Sequence, residues 1–400
     1  MNVVLFDDPQ IKRQLLPLTY TRPVAALALG MGPIAAKWEY FLGKKPSFLT
    51  EPYLQTKYPA VFTSDDLMIN GACCPDPALV KQLNKLSPGE SIRKDGILVG
   101  VRTTGKISID QLMSRFEGHP YDAPITILQR PWDLFKFNGK QIRYDVSLFT
   151  QGRSSEKVMD EHTIIYAPDH VFIEPEVSLK AAIINAESGP VYLGKGSSIE
   201  EGAVVRGPFV LGEGSTVNAQ ARMRGDITIG PRCKVGGEVS NSIIIGHSNK
   251  GHDGFLGNSV IGEWCNIGAD TNISNLKNNY DKVKIWDYGK ESFIDSGEQF
   301  CGLFMGDHSK CGINTMFNTG TSVGVACNIF GAGFPRTFIP SFSWGGAGGF
   351  STFRMDKVKS MARTSMQRRD GLFSLEEEQI LEAVFEQTRH FRTPEKEVSQ

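Results

Sequence analysis

The chain has no excess of either charge: 43 Lys and Arg stand against 44 Asp and Glu over 400 residues, a formal net charge of -1. Without a positive surplus there is no bulk attraction for nucleic acid or an anionic membrane, so any anionic ligand must be met by locally placed cations. Nothing approaches the run of roughly 18 apolar residues that a membrane span needs. The start of the chain, Met1 to Asp8, passes from a short apolar strand straight into acidic residues, unlike the basic-then-apolar pattern of a secretory leader. Cysteines number seven (Cys73, Cys74, Cys233, Cys265, Cys301, Cys311 and Cys327), an odd count without metal-ligand spacing. These absences lead us to expect a cytoplasmic protein with no membrane and no nucleic-acid partner. They also leave two or three domains as the expectation for a chain this long.

What the chain has instead is a ladder of apolar residues at every sixth position: Leu193, Ile199, Val205, Leu211, Val217, Met223, Ile229 and Val235. A period of six suits neither the 3.6 of a helix nor the alternation of a two-faced strand. It suits a coil that turns an inward corner every six residues, a parallel β-helix of hexapeptide repeats. The ladder resumes at Ile261, Ile267 and Ile273, and again at Met305, Cys311, Phe317, Val323 and Ile329. Many of these inward residues are followed by glycine (Gly194, Gly212, Gly230, Gly262, Gly268, Gly306 and Gly324), which permits tight corners.

Around this ladder the chain divides into three expected parts. Residues 1–155 read as an α/β domain, with strands at Asn2 to Phe6, Asp66 to Asn70, Gly96 to Val101 and Pro124 to Leu128, and helices at Ile34 to Leu42 and Pro77 to Leu86. The polar stretch Gln151 to Glu161 reads as a linker, and residues 163–340 as the β-helix. Two excursions from the hexad pattern, His247 to Gly257 and Leu276 to Phe304, read as loops leaving the coil, where function tends to sit. Residues 341–400 form a tail. In it a Gly-rich turn (Ser343 to Gly349) leads to the basic segment Arg354 to Arg369, then to an amphipathic helix with Ser374 as N-cap and Glu377 three residues on.

The string from Asn249 to Thr271, NKGHDGFLGNSVIGEWCNIGADT, resembles the acetyltransferase half of the GlmU family, bifunctional enzymes that acetylate glucosamine-1-phosphate and join N-acetylglucosamine-1-phosphate to a uridylyl group. The family pattern is close to KAGHxxYLGxxxIGxxxNIGAGT and matches without a gap. Ala221-Arg222-Met223-Arg224, after Gly207-Pro208-Phe209, is similar to the family's ARLR. The resemblance implies a left-handed β-helix, acetyl-CoA as acetyl donor and an amino-sugar phosphate as acceptor. It assigns His252 as the base that deprotonates the sugar amine, a task suited to an imidazole, and the backbone N–H of Ala269 as oxyanion donor. Arg224 matches a sugar-phosphate ligand, and Asn266 and Asn275 match substrate contacts. A shifted register would instead align Asn279-Tyr280-Asp281 with the family's NYD, so Asn279 and Tyr280 stay candidates. Departures accompany the matches. Ser240 stands in place of a lysine, Phe255 in place of a sugar-contacting tyrosine and Leu276 in place of another, so the acceptor is expected to differ in detail. Bland alternatives stay open: a surface or capping role for His252, a corner-stabilising role for Asn266, and pairing of Arg224 with Asp226 or another carboxylate. Trimers with sites between adjacent solenoids are what the hexapeptide acyltransferase resemblance implies. For the basic segment we weigh CoA phosphates against a solvated or packing helix.

Upstream, Leu16-Pro17-Leu18-Thr19-Tyr20-Thr21-Arg22-Pro23 resembles the entry of sugar-phosphate nucleotidyltransferases, GxGTRLRPLTxxxPKPL. The glycine-rich phosphate cradle is missing, and Ile69-Asn70-Gly71-Ala72 has Ala72 where the family's NGD has a metal-binding aspartate. A rearranged nucleotide site using Arg13, Arg22 and Lys37 is one expectation, with UTP or dTTP as substrate and Mg²⁺ as a candidate companion. Packing or capping is the other account of Arg22. Taken whole, with Leu5 to Asp8 and Gly32 to Glu39, the chain looks like a divergent bacterial branch of the GlmU family. The leading expectation is therefore an N-acetyltransferase with or without nucleotidyl transfer, leading to UDP-N-acetylglucosamine or another NDP-sugar. The competing one is a catalytically dead nucleotide-sugar-binding regulator or scaffold.

Overall fold

The computed structural model describes residues 1–392. They form two compact units, one of residues 1–27 with 32–131 and one of residues 28–31 with the chain from 132 onward. The α/β region, the parallel β-helix and the C-terminal helices expected from the sequence are all present.

In the first unit a six-stranded sheet runs in the order Ser47–Leu49, Asn2–Phe6, Asp66–Asn70, Ile97–Thr103, Ser91–Lys94, His119–Pro120. The first three strands are parallel, and Ile97–Thr103 joins them antiparallel. Asn2–Phe6 is nearly all apolar because it is central and covered on both sides. Val4, Phe6, Met68, Leu98, Val101 and Leu112 make the core. The strand expected at Pro124 to Leu128 is not formed. That segment bonds instead to the turn after Asn70, with Cys74 N–H donating to Thr126 O (2.9 Å) and Leu128 N–H to Ala72 O (3.0 Å).

The second unit winds three sheets of short parallel strands into a solenoid. Along the first face, Val191 pairs with Phe209 and Phe209 with Ile227, so one coil takes 18 residues, three hexads. Every residue of the ladder points inward and is at most 4% exposed. The second face carries Ser198–Ile199, Thr216–Val217, Lys234–Val235, Asn249–Lys250, Asn266–Ile267 and Lys310–Cys311 in order. The third carries Val204–Arg206, Arg222–Met223, Glu238–Ser240 and Phe255–Gly257.

The two expected excursions fare differently. Leu276 to Phe304 does leave the coil, as an antiparallel hairpin of Lys284–Asp287 and Ser292–Asp295. His247 to Gly257 does not: Asn249–Lys250 and Phe255–Gly257 are regular strands, and the ladder passes through Ile244, Lys250 and Leu256. A lysine on an inward position had hidden the repeat.

The helix Pro131–Phe149 was not foreseen, because its packed face is partly polar: Asn138, Gln141 and Asp145 are buried. Asn138 accepts from Gly30 N–H (2.9 Å) and donates to Asp226 O (3.0 Å). At Gly139 a Cβ would stand 1.8 Å from an Asp226 carboxylate oxygen, so this position needs glycine. Ile142 and Val146 pack on Val210 of the solenoid.

At the C-terminal end the Gly-rich turn is a hairpin of Ser343–Gly346 and Gly349–Thr352. The basic segment forms the helix Met355–Gln367, burying Val358, Ala362 and Met366. It is tied to the helix Leu375–Gln387 by Lys359 to Glu378 (2.9 Å) and Arg363 to Glu378 (3.4 Å). Ser374 caps that helix, its hydroxyl accepting from Glu377 N–H (3.3 Å). The last part of the expected tail, 393–400, lies outside the described residues. Among the described residues no helix is long and apolar enough to cross a membrane, and the seven cysteines are buried free thiols.

Candidate functional site

His252 lies on the four-residue corner 251–254 between the second and third faces, exposed to solvent. Its ring makes no hydrogen bond or ion pair with any described residue. The equivalent corner of the next coil is 268–271, since Asn249 pairs with Asn266. Ala269 therefore stands above His252, one inter-strand step of about 5 Å away, and Asp270 N–H donates to Asp253 O across the step (3.1 Å).

The third face carries the other candidates beside this corner. Phe255, half-buried, opens the strand after His252, and its N–H donates to Asn272 Oδ1 (2.9 Å). Asn275 donates to Asn258 Oδ1 (2.8 Å), with its amide against Gly257. Phe255 pairs with Glu238, which in turn pairs with Arg222. Glu238 takes hydrogen bonds from Arg224 (2.8 Å) and Arg222 (3.3 Å), and the Arg224 bond chiefly holds its carboxyl below the usual range. Arg224 thus pairs with a carboxylate, as the bland reading had it, but the partner is Glu238 and not Asp226, which faces Arg143 (3.7 Å). Ser240, where the family has lysine, lies between Arg224 and Gly257 in the same row.

Asn279 and Tyr280 sit on the arm that leaves the coil. Asn279 donates to Asp281 (2.5 Å), and Tyr280 is exposed and accepts at its carbonyl from Gln299. Asn275 stays against the coil, at the end of the strand Phe255–Gly257 away from His252. Asn266 points outward on the second face beside Asn249 (3.4 Å), whose carbonyl oxygen accepts from Arg369 (2.5 Å). Further along that face a groove of about 660 Å³ is lined by Lys310, Asn328, Trp344, Arg354, Lys357 and Met361.

Sequence reasoning missed Lys250. It occupies the ladder place of an aliphatic residue and is 1% exposed, with Nζ donating to the carbonyls of His252 (2.5 Å) and Asp253 (3.0 Å). Burial lowers its pKa to about 8. Counting six from Ile244 would have found it.

In the first unit, Arg13 is exposed on the helix Pro9–Gln14, while Arg22 and Lys37 are buried. The cation at the carboxyl end of Asn2–Phe6 is instead Lys12, also missed. Its Nζ sits 2.6 Å from Asp7 and 2.9 Å from Thr50 Oγ1. Asp7 also accepts from Val24 N–H (2.8 Å), and Asp8 caps Pro9–Gln14 through Gln10 and Ile11 N–H. Both carboxylates are thus occupied, Ala72 offers no ligand, and among the described residues no group of three His, Cys, Asp or Glu is placed to hold a metal. These residues do not fit Mg²⁺.

Residues 3–154 match the family described as "Sugar nucleotidyl transferase". The "Bifunctional sugar-1-phosphate nucleotidylyltransferase/acetyltransferase" of Sulfurisphaera tokodaii is 38% identical over 93 residues, 23% of each chain. The "Bifunctional protein GlmU" of Methanocaldococcus jannaschii is 37% identical over 92 residues, 23% of this chain and 22% of its own. Over these stretches the chain is similar to GlmU-type bifunctional proteins. It spans less than a quarter of the length of the curated relatives it matches. Among solved structures, the polySia specific acetyltransferase NeuO aligns over 54% of this chain and 97% of its own, at 16% identity and a TM-score of 0.29.

Proposed function

We propose that the solenoid transfers an acetyl group from acetyl-CoA to the amine of an amino-sugar phosphate, glucosamine-1-phosphate or a close relative. The observation that carries this reading is an unpartnered, exposed imidazole on a coil corner, directly below the corner of Ala269. His252 would take the proton from the sugar ammonium, leaving a neutral amine to attack the thioester carbonyl. The N–H of Ala269 would meet the charge that develops on the carbonyl oxygen. Arg224, freed from Glu238, would hold the acceptor's phosphate, with Phe255 and Asn275 against the ring. Asn266 begins an outward row through Lys310, Asn328 and Trp344, three coil steps or about 15 Å long. We assign the nucleotide end of CoA to the groove beside that row, where Lys310, Arg354 and Lys357 supply positive charge and Trp344 a ring.

The proposed assembly is a homotrimer, since His252 stands on an open corner that a second solenoid would turn into a cleft. The proposed setting is a reducing cytoplasm, supported by seven unpaired thiols. The proposed product is a precursor of UDP-N-acetylglucosamine or a related NDP-sugar. Free thiol should appear when the protein meets acetyl-CoA and glucosamine-1-phosphate. No release by wild type, or undiminished release by His252→Ala, would refute the assignment.

For the first unit, the pairing of Lys12 with Asp7 favours a second reading: a nucleotide-sugar-binding module without nucleotidyl transfer. Calorimetry with UTP, dTTP and UDP-N-acetylglucosamine is expected to give heat with the UDP-sugar. No pyrophosphate should form from either triphosphate with sugar-1-phosphate and Mg²⁺. Pyrophosphate release would restore the enzymatic reading.

A further inference from the structure

The corner that carries His252 is built differently from its neighbours. At the four-residue corners 200–203 and 268–271 the carbonyl of the second corner residue accepts from the N–H of the third corner residue in the next coil: Glu201 from Gln220 (2.9 Å) and Ala269 from Asn314 (2.8 Å). At the His252 corner this bond is displaced by one residue, because Asp270 N–H goes to Asp253 O. The positive backbone angle moves too. It falls on the third residue at Gly202, Gln220, Asp270 and Asn314, but on the fourth here, Gly254 with φ 107°. Gly254 has room for no Cβ, as Thr271 O would lie 2.1 Å from it. The carbonyl of His252, released from the regular ladder, is taken by the ammonium of Lys250 at 2.5 Å.

Lys250 itself is out of place by the logic of the fold. Its row otherwise reads Ile199, Val217, Val235, Ile267, Cys311 and Ile329, all buried and none charged. Placing an ammonium there costs solvation that two carbonyls restore only in part. The charged and titratable groups that face it are Asp253 on its own corner, Asp270 on the next and Cys311 two coils on. Burial pushes the Cys311 thiol up, so it stays neutral, and neither carboxylate is hydrogen-bonded to Nζ. A residue chosen for stability alone would be aliphatic.

We propose that Lys250 is a positioning residue: from inside the coil its ammonium draws the carbonyls of His252 and Asp253 inward, and this turn of the backbone presents the imidazole outward. This rests on the reading of His252 as the base. The geometry gives Lys250 no contact with substrate. It acts through the backbone of the residue that has one.

The test combines the ring signal of His252 with turnover, in the full chain. The His252 ¹³Cε1–¹H resonance is identified among the seven histidines by its loss in His252→Gln. In Lys250→Met it is expected to shift while those of His119, His162, His170 and His390 stay in place, with a melting temperature equal to or above that of wild type. Turnover of glucosamine-1-phosphate is expected to fall about 10- to 100-fold in kcat, with KM little changed. In wild type the same resonance should show a second inflection near pH 8, where the ammonium titrates, and Lys250→Met should lack it. That wild-type titration needs no variant to fold. An unmoved His252 signal in the variant, or the absence of the second inflection in wild type, would overturn the proposal. Wild type without turnover but with the expected shifts would refute the acetyl-transfer reading and leave the positioning role standing.

Discussion

Two buried lysines, Lys12 in the first unit and Lys250 in the second, are held in opposite ways. Lys12, 5% exposed, meets a carboxylate at 2.6 Å and a threonine hydroxyl, so its charge is cancelled where it stands. Lys250, 1% exposed, meets only backbone carbonyls. A cancelled ion pair contributes to a fixed structure and has little left to offer a phosphate. An uncancelled cation is tolerated only where something other than stability keeps it. The first unit has a sheet whose carboxyl edge is filled by its own side chains. The solenoid keeps an irregular corner and an exposed imidazole.

The comparison breaks most sharply at Asp7. Asp7→Ala removes the partner of a buried ammonium and is expected to destabilise the first unit by about 3–5 kcal/mol in urea unfolding. A loss under about 1 kcal/mol would mean that Lys12 finds other partners. His252→Ala should cost acetyl transfer about 10²- to 10⁴-fold, the range of a lost general base, while leaving the urea midpoint unmoved. Unequal midpoints would place His252 in the structure and not in the chemistry.

The smaller effect is one of pH. Burial lowers the folded pKa of Lys250 to about 8, against about 10.4 in the unfolded chain. Below pH 8 the lysine is charged in both states and the folded chain bears the full cost of burial. As pH rises from about 8 to about 10.4, the unfolded chain holds its proton more tightly than the folded one, so stability from this group increases. Relative to Lys250→Met, wild type should gain up to about 3 kcal/mol across that window. Parallel pH curves for the two proteins would remove the contrast with Lys12.

Much of this was legible beforehand. The hexad ladder reads directly because an inward residue in a coil has no alternative partner: Leu193 to Val235 are all at most 1% exposed. His252, Ala269, Phe255 and Asn275 were named from a motif; a local coil of 17 residues stacks Ala269 over His252, with Phe255 opening the next strand and Asn275 at that strand's far end. What stayed hidden was polar and buried. The helix Pro131–Phe149 was lost because Asn138 and Asp145 face inward, and Lys250 was read as part of a loop. Arg22, weighed between a nucleotide ligand and a packing cation, and Lys37, weighed as a nucleotide ligand, are both buried.

By itself the sequence determined the solenoid, its six-residue period and the corner at which chemistry is proposed, because periodic burial of apolar side chains is a local rule repeated many times. Only the tertiary structure decided which charges are cancelled and which carbonyls turn inward. Those depend on neighbours one coil or tens of residues away, whose distances no pattern of residue types encodes.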